Sequence, residues 1–330
     1  MLFTNKINIT VLITSVHQRN ITINTANYYS NICDEVIVVD EEQPHLSYVD
    51  ISKLKKKGIT YIGFNTSKNE LSIKSIYQKR LIAAKKSTNK YVVHSNHDER
   101  YTYHGLLACI SELENNKNLI FCAGQAVAVR KVKQKIYYTR SYEKLYNYQN
   151  IDKVDQRLLN HARNYIPIAH YSVWCKEFYI NATQKTIFLN DLIPASGLCD
   201  EVIFEFISDI AGKSKAIPEL YWIRNRVNPP GPKHRRDQGD HSFKIAKDKL
   251  NILLKDHNNI HTDEIMMYLH KAFHTVRSKS LLDKIFLLIK LLIYSLIKKE
   301  KIDDVDVLLN KNEIIYNKTD FFKALNSMNL

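Results

Sequence analysis

The chain has 330 residues, 45% hydrophobic and 25% charged, with only 8 Gly and 7 Pro. That composition excludes a disordered or fibrous chain and leaves length for one large core or two modest ones. The net charge of +14 points to an anionic partner (nucleic acid, a phosphorylated small molecule or an acidic membrane surface) without choosing among them.

Ile7–Thr14 (INITVLIT) predicts a first strand and not a cleavable leader, because no basic segment precedes an apolar core. Five cysteines, at 33, 109, 122, 175 and 199, form no CxxC pair or finger spacing, which implies reduced thiols and a cytoplasmic location. A helix follows from about Ile21 to Asn31, then the apolar strand Glu35–Val39 ending at Asp40. A short helix over Ile51–Lys57, the strand Ile59–Phe64, a helix over Leu71–Lys86 and the strand Tyr91–His94 continue the alternation. A helix over Gly105–Asn115 and the strand Leu119–Ala123 complete it. Short apolar strands alternating with helices predict a mostly parallel sheet with helices on both faces. Such sheets bind ligands at the carboxyl ends of their strands, where Thr14, Ser15, Asp40 and the cluster after Val93 fall.

No GxGxxG follows the first strand and no GxxxxGK[ST] occurs, which disfavours a classical dinucleotide fold and a P-loop NTPase. Strands are expected over Ala126–Val132 and Lys135–Thr139, then a helix over Leu198–Ala211 with Gly212 as its C-terminal cap. NPPGPKHRRDQGDHS (228–242) breaks regular structure with three prolines and two glycines and reads as a basic loop. From Phe243 onward the pattern is helical. Within it, LLDKIFLLIKLLIYSLIKKEK (281–301) is apolar but interrupted by Lys290 and is too short for a confident span. It reads either as a buried or partner-facing helix, or as an interfacial helix whose lysines favour anionic lipid.

The order of a strand, Asp40, a helix bearing Lys79 and then YVVHSNHDE resembles the donor half of GT-A glycosyltransferases. The nearest type is the bacterial family-2-like enzymes of surface polysaccharide synthesis. Where that family has a DxD motif, this chain has His97, Asp98 and Glu99. The stretch CDEVIFEFISDIAGKSKAIPELYWIRN (199–225) is similar to the family's acidic pair on a helix, here Asp200 and Glu201, followed by a Gly-Lys turn, a strand, Pro and Arg.

The resemblance implies an α/β GT-A (Rossmann-like) fold with a helical C-terminal extension. Residues 1–125 would form the nucleotide-sugar half, 126–242 the acceptor half and 243–330 the helical region. It implies sugar transfer from a nucleotide-sugar donor to a glycan or lipid-linked glycan, inverting, with Glu201 as general base and Asp200 as the second choice. Thr14, Ser15, Asp40, Lys79, His97, Asp98, Arg235 and Arg236 would bind the donor. A divalent cation (Mn²⁺ or Mg²⁺) would be held by Asp98, Glu99 and His234, with the departure from DxD bearing on that site. The 201, 205, 209 spacing also fits a solvated helix face, which would make Glu205 and Asp209 plain surface. A sugar-phosphate nucleotidyltransferase is the enzymatic rival, but TSVHQRN after the first strand lacks that class's Gly-rich loop. A nucleic-acid-binding protein is the rival from another class; with no RNP, KH or finger pattern, no nucleic acid is expected. The expected place is the cytoplasm, with peripheral contact at the inner face of the plasma membrane through 281–301.

Overall fold

The computed structural model describes residues 5–15, 19–65, 73–132, 135–142, 151–193, 198–225, 239–255, 262–274, 305–311 and 313–328. The first half runs β1 (Ile7–Ser15), α1 (Arg19–Ser30), β2 (Cys33–Asp40), α2 (Tyr48–Lys56), β3 (Ile59–Gly63), α3 (Ile73–Lys86) and β4 (Tyr91–Ser95). Then come β5 (Arg100–Tyr101), α4 (Tyr103–Asn115), β6 (Leu119–Val132), β7 (Lys135–Ser141), α5 (Val154–Arg163), β8 (Val173–Cys175), α6 (Lys176–Leu192) and α7 (Leu198–Ala211). The chain closes with β9 (Lys213–Asn225), α8 (Gly239–Leu253), α9 (Thr262–His274), α10 (Val305–Lys311) and α11 (Lys318–Asn326).

One nine-stranded sheet has the order β3-β2-β1-β4-β8-β6-β9-β5, with β7 paired to β6. The β3-β2-β1-β4 part is parallel, as the alternation predicts. The Val/Ile runs of β1, β2 and β4 are buried, because helices cover both faces, while the edge strand β3 is only partly buried. Beyond β4 the sheet is mixed: β8 is antiparallel to β4 and β6, while β9 runs parallel to β6. The two strands expected at 119–123 and 126–132 are one strand, β6, which passes through Gly124. A side chain there would meet the Glu219 carbonyl and the Tyr221 Cβ, each at 2.4 Å, so only glycine lets β6 and β9 approach. β5 and β8 were not expected; at two and three residues they carry no readable period.

The last turn of the chain belongs to the core. Residue Ile315 bonds Pro218 and Leu220 in β9, where the β6–β9 register slips. Asp320 Oδ2 accepts from the His104 amide at 2.8 Å. Arg100 donates to the hydroxyl and carbonyl of Ser327, both at 2.9 Å, while Phe321 is fully buried beside Tyr138. Truncating Phe321 to Ala should therefore cost about 3–5 kcal/mol of global stability in a urea titration. An unchanged midpoint would mean that α11 is not part of the core.

Candidate active site

Register brings the ends of three strands together: Ser15 lies beside Asp40, and Ile13 beside Ser95. Asp40 is fully buried and both its oxygens are engaged. Oδ2 accepts from Arg19 Nε and the Tyr61 hydroxyl, each at 2.7 Å, and Oδ1 from the Glu42 amide at 3.2 Å. Burial alone would raise its pKa, but the Tyr61 and Arg19 hydrogen bonds outweigh that and hold the carboxyl below its usual range. Thr14 Oγ1 lies 3.2 Å from His94 Nε2, and Ser15 Oγ accepts from Thr22.

Lys79 is also fully buried. Its ammonium donates to Glu41 at 2.6 Å and to the Ser15 carbonyl at 3.2 Å, so it ties α3 to the carboxyl ends of β1 and β2. The next residue differs. Arg80 is 7% exposed, its Nε has no partner, and it forms no hydrogen bond or ion pair among the described residues. Its guanidinium sits 5.1 Å from the Tyr77 ring centre. Among the described residues no carboxylate pairs with this guanidinium, and a buried cation without a counter-charge is costly. Sequence reasoning missed it. The available signal was spacing: Tyr77, Arg80 and Ala84 share one helix face, and both Tyr77 and Ala84 are apolar and inward.

The turn from β4 to β5 holds Asn96, His97, Asp98 and Glu99. Glu99 points inward: Oε2 accepts from Trp222 Nε1 at 3.0 Å and Asn96 Nδ2 at 3.2 Å, and Oε1 from Arg224 Nε at 3.2 Å. Burial pushes its pKa up to about 7, against the opposing pull of Arg224. Arg224 in turn lies over Trp222 at 4.6 Å and Tyr142 at 5.0 Å. Tyr142 is held at φ 57°, a strained backbone for an aromatic residue. Asp98 is half-exposed and makes no hydrogen bond or ion pair among the described residues. His97 is half-buried, and desolvation lowers its pKa, so its ring is neutral at pH 7.

Across the crevice, α7 splits its acidic pair. Asp200 is fully buried with Lys249 Nζ at 3.1 Å. Glu201 is half-buried and accepts from the Tyr165 hydroxyl at 3.2 Å. Glu205 and Asp209, expected as plain surface, are buried, because the line they form packs on His170 and His161 and not on water. Tyr171 stacks on Trp222 at 3.9 Å and lies in the fields of both Glu99 and Glu201, so it marks where the two sides meet. A small apolar pocket opens there, walled by Ile166, Pro167, Tyr171 and Trp222.

Among the described residues no group of three or more His, Cys, Asp or Glu converges as a metal cage. Both Glu99 oxygens accept hydrogen bonds, whereas Asp98 makes none among the described residues. His234, Arg235 and Arg236 lie outside the described residues, as does 281–301. No described helix is long and apolar enough to cross a membrane.

No protein-family model and no curated protein matches the chain. Solved structures do. S. aureus TarS residues 1–349 in complex with UDP-GlcNAc align over 83% of this chain and 76% of that one, with TM-score 0.57 and 11% identity. The same TarS fragment in complex with UDP gives 82% and 73%, TM-score 0.53 and 12% identity. A longer TarS structure gives 83% and 46%, TM-score 0.55 and 12% identity. At such identities the likeness is one of fold, and that fold is the α/β GT-A architecture.

The buried Glu99 has a pH consequence. A carboxyl raised from 4.5 to about 7 by folding contributes stability that is present below pH 4.5 and lost as pH rises through about 7. Glu99→Gln removes that dependence. Melting temperatures of the two proteins should match near pH 5, and the variant should gain on the wild type towards pH 8. A gap moving the other way would mean that the Arg224 pairing outweighs burial.

Proposed function

We propose that the chain is a nucleotide-sugar-dependent glycosyltransferase, a hexosyl or related transferase, that moves sugar from a uridine-diphosphate donor to a glycan or lipid-linked glycan acceptor by inverting displacement. One observation carries this reading. The chain shares its fold with the UDP- and UDP-GlcNAc-bound TarS structures, and near the carboxyl ends of the strands Arg80 is a buried guanidinium and Asp98 a half-exposed carboxylate, neither with an ion pair among the described residues.

In this reading the Arg19–Asp40–Tyr61 group and Thr14 meet the nucleoside, with Lys79 and Ser15 holding the frame beneath. Arg80 takes the diphosphate charge that grows as the sugar leaves. Asp98 would hold Mg²⁺ or Mn²⁺, and the cation would lend charge stabilisation to the leaving diphosphate. Glu99 is left out of the ligand set because its oxygens are taken. His97 borders the diphosphate, Arg235 and Arg236 contact the donor, and His234 would be a further ligand of the cation.

Glu201 removes the acceptor's proton, since it is the member of its pair that is reachable, while Asp200 holds α7 to Lys249. Removing such a base costs ~10²–10⁴ in rate. Glu201→Gln should thus lose at least ~100-fold in kcat with donor binding retained. Full activity of the variant would remove α7 from the chemistry.

The donor class is tested by thermal shift with UDP-, GDP-, CMP- and dTDP-sugars, with Mn²⁺ and with EDTA. A shift with the UDP class that weakens in EDTA and in Asp98→Ala is expected. No shift with any of them would contradict the reading.

A further inference from the structure

Beneath α7 lies a polar network that the reaction as described does not use. Glu205 is fully buried, which raises its pKa to about 8, and its carboxyl oxygens accept from the amides of Ala169 at 2.8 Å and His170 at 3.0 Å and from His170 Nδ1 at 2.8 Å. One turn on, Asp209 Oδ2 lies 2.6 Å from His161 Nδ1, and His161 Nε2 lies 2.9 Å from the Ile166 carbonyl. A carbonyl and an ionised carboxylate both accept, so the two contacts favour a His161 ring that donates from both nitrogens. Desolvation opposes the charged ring, but Asp209 outweighs it and raises the pKa.

These bonds grip the 165–171 segment at Ile166, Ala169 and His170. The segment presents Tyr165 to Glu201 and Tyr171 to Trp222. A carboxylate on a long side chain has three torsions to fix, and a hydroxyl donor from a pinned backbone removes much of that freedom.

We propose that Glu205, His161 and Tyr165 are positioning residues for transfer: Glu205 and His161 pin the 165–171 segment, and Tyr165, so held, orients the Glu201 carboxylate toward the acceptor. The proposal rests on Glu201 being the base. Among the described residues, the groups facing Glu201 include Tyr165 and Tyr171 from the segment, Tyr77 from α3 and Glu205 from its own helix. Of these, Tyr165 has its hydrogen bond to Glu201 resolved.

Two readouts on the full chain test it. Hydrogen exchange without ligand reads the pin: Glu205→Gln should speed exchange across 165–171 by about tenfold and leave β6 unchanged. Release of UDP from the probe UDP-GlcNAc, with water as acceptor, reads the orientation. Tyr165→Phe should lower kcat by roughly tenfold at constant donor KM. It should also move the acidic limb of the profile to higher pH, because Glu201 loses a donor to its charged form. Combined with Glu205→Gln, the loss should stay near tenfold and not multiply, since both act through one bond.

Unchanged exchange in Glu205→Gln, or a Tyr165→Phe profile that overlays the wild type, overturns the proposal. Inactive Glu201→Gln beside an unaffected Tyr165→Phe overturns it alone, whereas an active Glu201→Gln overturns the base and the proposal together. If Glu205→Gln does not fold, the Tyr165→Phe profile decides, because phenylalanine keeps the ring packing.

Discussion

The grip of Glu99 on Trp222 and Arg224 is the interaction on which the site's arrangement depends. It joins the turn after β4, the carboxyl end of the parallel part of the sheet, to β9 in the mixed part. With Glu99 committed inward, the adjacent Asp98 is left at the crevice. The same bond sets the Arg224 guanidinium among Trp222, Tyr142 and Tyr171, and Tyr171 borders the acidic end of α7. A buried carboxylate held this way is expensive to desolvate and expensive to strand, so the geometry tolerates few alternatives.

Three adjacent ionisable pairs divide in the same manner. Among the described residues, Lys79 is sealed against Glu41 while Arg80 has no counter-charge; Glu99 is sealed against Arg224 while Asp98 makes no ion pair; Asp200 is sealed against Lys249 while Glu201 is half-buried. In each pair one member builds the scaffold and its neighbour is held at a fixed distance from it. Adjacent placement therefore gives each working group a rigid anchor one residue away.

The parallel core was legible in the sequence because its signals are local: Val/Ile runs such as Glu35–Val39, interrupted by helical spacing, and polar residues at the strand ends. The division within each pair was not. Lys79 and Arg80 differ by a single position on one helix, and the deciding partner, Glu41, comes from another element. The line of Glu201, Glu205 and Asp209 fits a solvated face and a face packed on histidines equally well, since periodicity reports a polar stripe but not what covers it. The bonds from Glu99 to Trp222 and Arg224 span more than a hundred residues and leave no periodic trace. The return of α11 onto β5 and α4 was hidden for the same reason.

The central claim, that this crevice holds the diphosphate of a nucleotide sugar, is tested most directly at Arg80. Calorimetric titrations of UDP and of uridine into the wild type and Arg80→Met would be compared with the melting temperatures of the unliganded proteins. A buried guanidinium with no ion pair among the described residues predicts that the variant melts no lower than the wild type, binds uridine equally, and loses roughly 10- to 100-fold in UDP affinity. A variant that melts several degrees lower yet binds UDP as tightly as the wild type would make Arg80 a structural residue and contradict the account.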